Sequence, residues 1–236
     1  MTPRLVVVFG ACVALVVLAA AGALAAAGAP RAQSVAAPRG LSVMLLVDVT
    51  ASMTKTQLAF DARYAQVVNA FLQGLTPNDR AGVGLIADTT RFTEMTVDQR
   101  ALAASVRALF RVPDSARLGP SPLWDSLDET LDRVADGNRK PAIIVFSDGK
   151  AGGNRKGLDE VIDRAKTLGV AVSSVVEGPG VALMARSPIV LDPADAFERF
   201  AQTTGGLRLL DRPMNPRERN PGPMIALLVD GLRRTP

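Results

Sequence analysis

Past residue 40 the chain alternates between two patterns of apolar positions. Continuous apolar runs of strand length occur at "LSVMLLVD" (41–48), "AGVGLIAD" (81–88), "PAIIVFSDG" (141–149) and "VAVSSVVEG" (170–178). Such runs predict strands buried on both faces, because a half-exposed strand would alternate with period two. Between them the apolar positions take helical spacing. In "KTQLAFDARYAQVVNAFLQGL" they are Leu58, Tyr64, Val67, Val68, Phe71 and Leu72, and "TPND" then stops the helix. Further helices are predicted over "VDQRALAASVRALF" (97–110), "LWDSLDETLDRVA" (123–135), "GLDEVIDRAKTLG" (157–169) and "DPADAFERFAQTTGG" (192–206). The last has Pro193 near its start and Gly205-Gly206 past its end, the asymmetry expected of a helix. "FTEMT" (92–96) reads as a short edge strand, "LRLL" (207–210) as the closing strand, and "MIALLVDGL" as a tail helix that packs on the domain or touches a partner.

Alternating strands and helices predict an α/β fold: a doubly wound, mainly parallel central sheet with helices on both faces. With 236 residues, 48% of them hydrophobic, one core is the default. Residues 41–236 are therefore assigned to a single domain with a C-terminal helical tail, and "AQSVAAPRG" supplies a linker over 33–40.

Residues 1–32 have a different pattern, an early Arg4 followed by an apolar stretch from Leu5 to Ala29 with small residues at Ala25-Ala26-Ala27. This predicts a signal peptide or an uncleaved signal anchor, with the domain exported to the periplasm or the cell exterior. The only cysteine, Cys12, precedes most of the apolar stretch, which is the wrong side for a lipoprotein cysteine. The domain then has no thiol, and the whole chain has no His, which excludes Ser-His-Asp and Cys-His mechanisms. The net charge of +4 is scattered and only 4% of residues are aromatic, so no nucleic-acid surface is expected. Membrane contact is expected only through the N-terminal segment.

The candidate chemistry lies where strands end, since open α/β sheets bind ligands outside the carboxyl ends of their strands. "VDVTASM" places Asp48 at the end of the first strand, with Thr50 and Ser52 in the following loop. Asp148 in "IIVFSDG" ends a later strand, and Ser121 in "GPSP" precedes a helix. Carboxylates and hydroxyls without His or Cys are hard oxygen donors suited to Mg²⁺ first, with Mn²⁺ or Ca²⁺ also admissible. Each fragment alone has a plainer reading: Asp48 as a helix cap with Thr50 and Ser52 as turn formers, and Ser121 as the cap of the helix after it. "SDGKAGGNRKG" lacks the order of a phosphate-binding loop and reads as a basic, flexible connection. Trp124 reads as a packing anchor, and Arg63, Arg133 and the arginines of "GLRRTP" as solvated charges.

Taken together and in order, "VMLLVDVTASM", "GPSPLWDSL" and "AIIVFSDG" resemble the von Willebrand factor type A domain. The resemblance covers about residues 40 to 210 and implies a Rossmann-like fold with a metal-ion-dependent adhesion site. The ligands so implied are Asp48, Thr50, Ser52, Ser121 and Asp148, with Thr50 where the family has Ser and Ser121 where it has Thr. The function implied is non-enzymatic: a divalent cation held by these side chains binds an Asp or Glu of a protein partner. Two alternatives stand beside it. One is a metal-free structural or assembly domain of the cell envelope. The weaker one is a Mg²⁺-dependent phosphatase of the haloacid-dehalogenase type, disfavoured because Thr50 stands where a second Asp would act as acid and base.

Overall fold

In the computed structural model, residues 40–53, 57–111, 119–178, 194–211 and 220–234 are described. The leader expected over residues 1–32, and the linker up to residue 39, lie outside them. The elements in chain order are β1 (Leu41–Asp48), α1 (Gln57–Gly74), β2 (Arg80–Ile86), β3 (Thr90–Phe92), α2 (Gln99–Leu109), α3 (Leu123–Val134), β4 (Lys140–Ser147), α4 (Leu158–Thr167), β5 (Ala171–Glu177), α5 (Ala194–Thr204), β6 (Arg208–Asp211) and α6 (Gly222–Arg234). The sheet runs β3-β2-β1-β4-β5-β6, and every neighbouring pair is parallel except β2 with β3. This is the doubly wound α/β architecture expected from the apolar pattern. Arg39–Pro236 forms one compact unit.

The continuous apolar runs are explained by what covers each face. Leu41, Val43, Leu45 and Val47 of β1 point into a cluster with Tyr64, Val67 and Phe71 of α1, Leu102 and Val106 of α2, and Ile225, Leu228 and Val229 of α6. Met44 and Leu46 point the other way, to Leu123, Leu127 and Leu131 of α3, Val161 and Ala165 of α4, and Phe197 and Phe200 of α5. β1 has apolar residues on both sides because three helices close each face, and all eight of its residues are buried. Trp124 packs its ring against Phe197 and Phe200, so the reading as a packing anchor stands.

The tail helix α6 packs on α1, and Gly74 is where the two meet: a Cβ there would lie 3.1 Å from Val229. Asp79 fastens the same corner by accepting from the Leu41 amide at 2.7 Å, the Thr76 amide at 2.7 Å and the Arg233 guanidinium at 2.5 Å. Among the described residues no helix is long and apolar enough to cross a membrane.

Four expectations are corrected. β3 spans Thr90–Phe92 rather than 92–96: the Thr93 amide still donates to the Val83 carbonyl at 2.9 Å, but the Thr93 hydroxyl takes the ladder place of a backbone acceptor for the Val83 amide at 3.0 Å, and beyond it the strand meets β2 as a bridge between Ala81 and Thr96. α2 begins at Gln99, because the Asp98 carboxylate caps the amides of Arg100 and Ala101. Arg63 is buried rather than solvated and pairs with Glu177. Arg133 and Arg233 are also partnered: Arg133 lies 4.0 Å over the Phe92 ring and pairs with Glu129, and Arg233 is held by Asp79 and the Gly74 carbonyl. Arg234 is exposed, as expected for a solvated charge, and pairs with Asp230 one helical turn back.

Candidate metal centre

β1 and β4 are adjacent parallel strands, and their register pairs Val47 with Phe146. The next residues, Asp48 and Ser147, therefore reach the carboxyl edge of the sheet side by side. By alternation both project to the face that carries Met44, Leu46, Ile143 and Val145, the face covered by α3. Asp48 is fully buried there.

Four hydrogen bonds converge on its carboxylate. Oδ1 accepts from the Thr50 amide at 3.0 Å and the Thr50 hydroxyl at 2.6 Å. Oδ2 accepts from the Ser121 hydroxyl at 3.1 Å and the Ser147 hydroxyl at 2.7 Å. The second carboxylate, Asp148, accepts on Oδ1 from the Ser52 hydroxyl at 3.1 Å and the Lys150 amide at 3.1 Å, and on Oδ2 from the Lys150 ammonium at 2.8 Å. The fold thus brings together all five side chains named from the sequence, across separations of up to 100 residues. Ser147 is a further member that the sequence reading passed over, although it stands inside the quoted "IIVFSDG".

The loops that carry these groups are held from several sides. After Asp48 the chain turns, with the Met53 amide donating to the Thr50 carbonyl at 3.0 Å. The Tyr64 hydroxyl donates to the Asp48 carbonyl at 2.8 Å, and Arg63 donates to the Met53 carbonyl at 3.4 Å. Ser121 does not cap α3. The residue at the cap is Pro122, and the first amides of the helix are capped from the β4–α4 loop, where Asn154 Oδ1 accepts from the Trp124 amide at 2.7 Å. In return Asp125 accepts from the amides of Arg155 and Lys156 at 3.1 and 2.8 Å, and Gly152 donates to the Ser121 carbonyl at 2.8 Å. The "SDGKAGGNRKG" segment is therefore a clamp between the Ser121 loop and Asp148 and not a loose connection.

The electrostatics favour a cation. Burial pushes the Asp48 carboxyl above its usual range; the bonds from Thr50 and Ser147 pull it back, and the nearby negative charge of Asp148 adds to the rise. Among the described residues no Lys or Arg pairs with Asp48. A buried carboxylate without a cationic partner, beside a second carboxylate, is an arrangement that a bound cation would stabilise. The hydroxyls fit the same role. Thr50, Ser121 and Ser52 each spend their proton on a carboxylate, which leaves oxygen lone pairs free for a hard ion. Among the described residues no cluster of three acidic, His or Cys side chains is present, so a cation here would depend on hydroxyls for much of its shell.

Comparison with known proteins bears on the family and the fold. A family model described as VWA domain containing CoxE-like protein matches residues 9–177. No curated protein sequence matches the chain. Among solved structures, the conserved hypothetical protein BatB from Bacteroides thetaiotaomicron superposes with a TM-score of 0.61 at 17% identity, covering 83% of this chain and 100% of that one. An aerotolerance-related membrane protein from Bacteroides fragilis gives 0.59 at 16% identity, covering 83% and 100%. Proximal thread matrix protein 1 from the mussel byssus, with a zinc-occupied MIDAS motif, gives 0.58 at 14% identity, covering 81% of this chain and 48% of that one. At these identities the likeness is one of fold.

Proposed function

Because the chain belongs to the family of VWA domain containing CoxE-like proteins, whose domains are generally protein-binding and usually not catalytic, we propose that it binds a protein partner through a divalent cation. The cation, Mg²⁺ before Mn²⁺ or Ca²⁺, would be held by Asp48, Thr50, Ser52, Ser121 and Asp148, with Ser147 fixing the orientation of Asp48. Bound there, it supplies a Lewis-acidic position that attracts an anionic oxygen, and an Asp or Glu of the partner is the fitting donor. The observation that carries the reading is the buried Asp48: four donors orient it, and among the described residues no cation pairs with it.

The swap of Thr50 for Ser and of Ser121 for Thr keeps each oxygen. Both hydroxyls donate to Asp48, one to each carboxylate oxygen, so the extra methyl of Thr50 and the missing methyl of Ser121 leave each oxygen in reach of it. Residues 1–32 would carry the domain out of the cytoplasm as a signal peptide or anchor. N-terminal sequencing of exported protein, showing either a start after the Ala-rich stretch or Met1 itself, distinguishes the two.

The test is thermal unfolding of the full-length chain in Mg²⁺, Mn²⁺ or Ca²⁺ against chelator, beside Asp48→Ala and Asp148→Ala. Ion at about 100 times its Kd should add about 2.7 kcal/mol, and neither variant should respond. A native protein whose midpoint ignores all three ions would overturn the cation mechanism and leave a metal-free structural domain of the cell envelope.

A further inference from the structure

We propose that Lys150 is a tethered cation that competes with the divalent ion for Asp148 and thereby sets the ion affinity of the site. The inference rests on the cation reading above and concerns its regulation. The two carboxylates of the site are unequally treated. Asp48 meets only neutral donors, whereas Asp148 holds the Lys150 ammonium at 2.8 Å on Oδ2. The other oxygen, Oδ1, is already taken by the Ser52 hydroxyl and the Lys150 amide, so the ammonium sits on the carboxylate oxygen that has no other donor among the described residues.

The lysine is also placed to leave. Its side chain is 60% exposed while that of Asp148 is 8% exposed, so the ammonium can withdraw into water at small cost and the carboxylate cannot. It cannot go far, because it is two residues from Asp148 and its own amide is bonded to the same carboxylate. An arriving divalent ion must therefore displace a positive charge that stays within a side chain's length. At about 5 Å, and even at the dielectric of water, one unit charge beside a divalent ion is worth about a tenfold change in binding. Lys150 thus partly neutralises Asp148 and makes ion binding weaker than the oxygen set alone would give.

The experiment is calorimetric titration of the full-length protein with Mg²⁺ and with Mn²⁺, each alone, for the native chain, Lys150→Met, Lys150→Arg and Asp48→Ala. Lys150→Met should bind about tenfold more tightly, and added salt should narrow that gap by screening the ammonium. Lys150→Arg keeps the charge and should stay near the native Kd. Equal or weaker binding by Lys150→Met, with Asp48→Ala binding nothing, would overturn this inference and leave the cation site standing. No heat and no shift in thermal midpoint for the native chain with either ion would overturn the cation reading, and this inference with it. Circular dichroism of each variant in chelator establishes that the comparison is between folded proteins.

Discussion

Replacing Arg63 by Met is the most informative single perturbation outside the ligand set. The guanidinium is buried between α1 and the end of β5, where it pairs with Glu177, and it also donates to the Met53 carbonyl that closes the Asp48 loop. Removing it leaves the buried Glu177 carboxylate beside Asp211, its register partner on β6, which is buried as well. Removing one partner of a buried ion pair costs about 3–5 kcal/mol, since the remaining charge keeps its desolvation penalty and loses the attraction of the group removed. At about 2–4 °C per kcal/mol for a domain of this size, a cost of about 4 kcal/mol lowers Tm by about 8–16 °C. The double variant Arg63→Met with Glu177→Leu removes both charges and should recover most of that loss. Ion binding should not recover with it, because the Met53 carbonyl still lacks its tether and Ser52 is one residue away. Urea and thermal unfolding of the single and double variants, with ion titration of the double, make the measurement. An Arg63→Met protein within 1 kcal/mol of native would refute the account of a buried pair. Native ion affinity in a restored double variant would refute the link to the site.

Other expectations are independent of that pair. At Asp79, burial raises the carboxyl, but the bonds from the Leu41 and Thr76 amides and from Arg233 outweigh it and hold the group below its ordinary value of 3.8. A lowered folded value means that this stabilisation is complete above the unfolded value and is lost as pH falls through the folded one. Urea midpoints of Asp79→Asn should therefore fall less steeply on the acid side than those of the native protein, and equal slopes would contradict the assignment. Asn154→Ala removes the side-chain cap of α3 and should cost about 1 kcal/mol; it should also weaken ion binding, because the same loop holds Ser121 through Gly152. Ser147→Ala removes the shortest bond to Asp48 Oδ2 and should weaken ion binding while Ser147→Thr keeps it. In chelator the native chain should still unfold cooperatively, because every site carboxylate already has donors from the protein.

The architecture was legible because β1, β2, β4 and β5 are covered on both faces, and that burial writes itself as unbroken apolar runs. The five candidate side chains could be picked out because ligands gather where such runs stop. What was missed depends on pairing across distance. Arg63 lies in a helix whose neighbours give no sign that Glu177, 114 residues later, will reach it. Asn154 caps a helix that begins thirty residues earlier in the chain, so no local capping signal exists. Ser147 was within reach. With period two on β4 it shares the face of Ile143 and Val145, and the parallel neighbour β1 presents Asp48 on that same face.

The missed residues share a role that clarifies how the centre is built. Hydroxyls at 50, 52, 121 and 147 donate to the two carboxylates and present their oxygens in the same act. On the proposed cation reading these oxygens are oriented by hydrogen bonds within the protein, whereas many structural metal sites gather their ligands only on binding. Tyr64 and Arg63 on one side, and Asn154 and Asp125 on the other, brace the loops that carry these oxygens. On the proposed reading, loops braced in this way would leave more of the binding free energy for the ion and partner instead of spending it on ordering. On the proposed reading such a centre would suit a reversible contact, in which ion and partner bind to loops that the fold already braces.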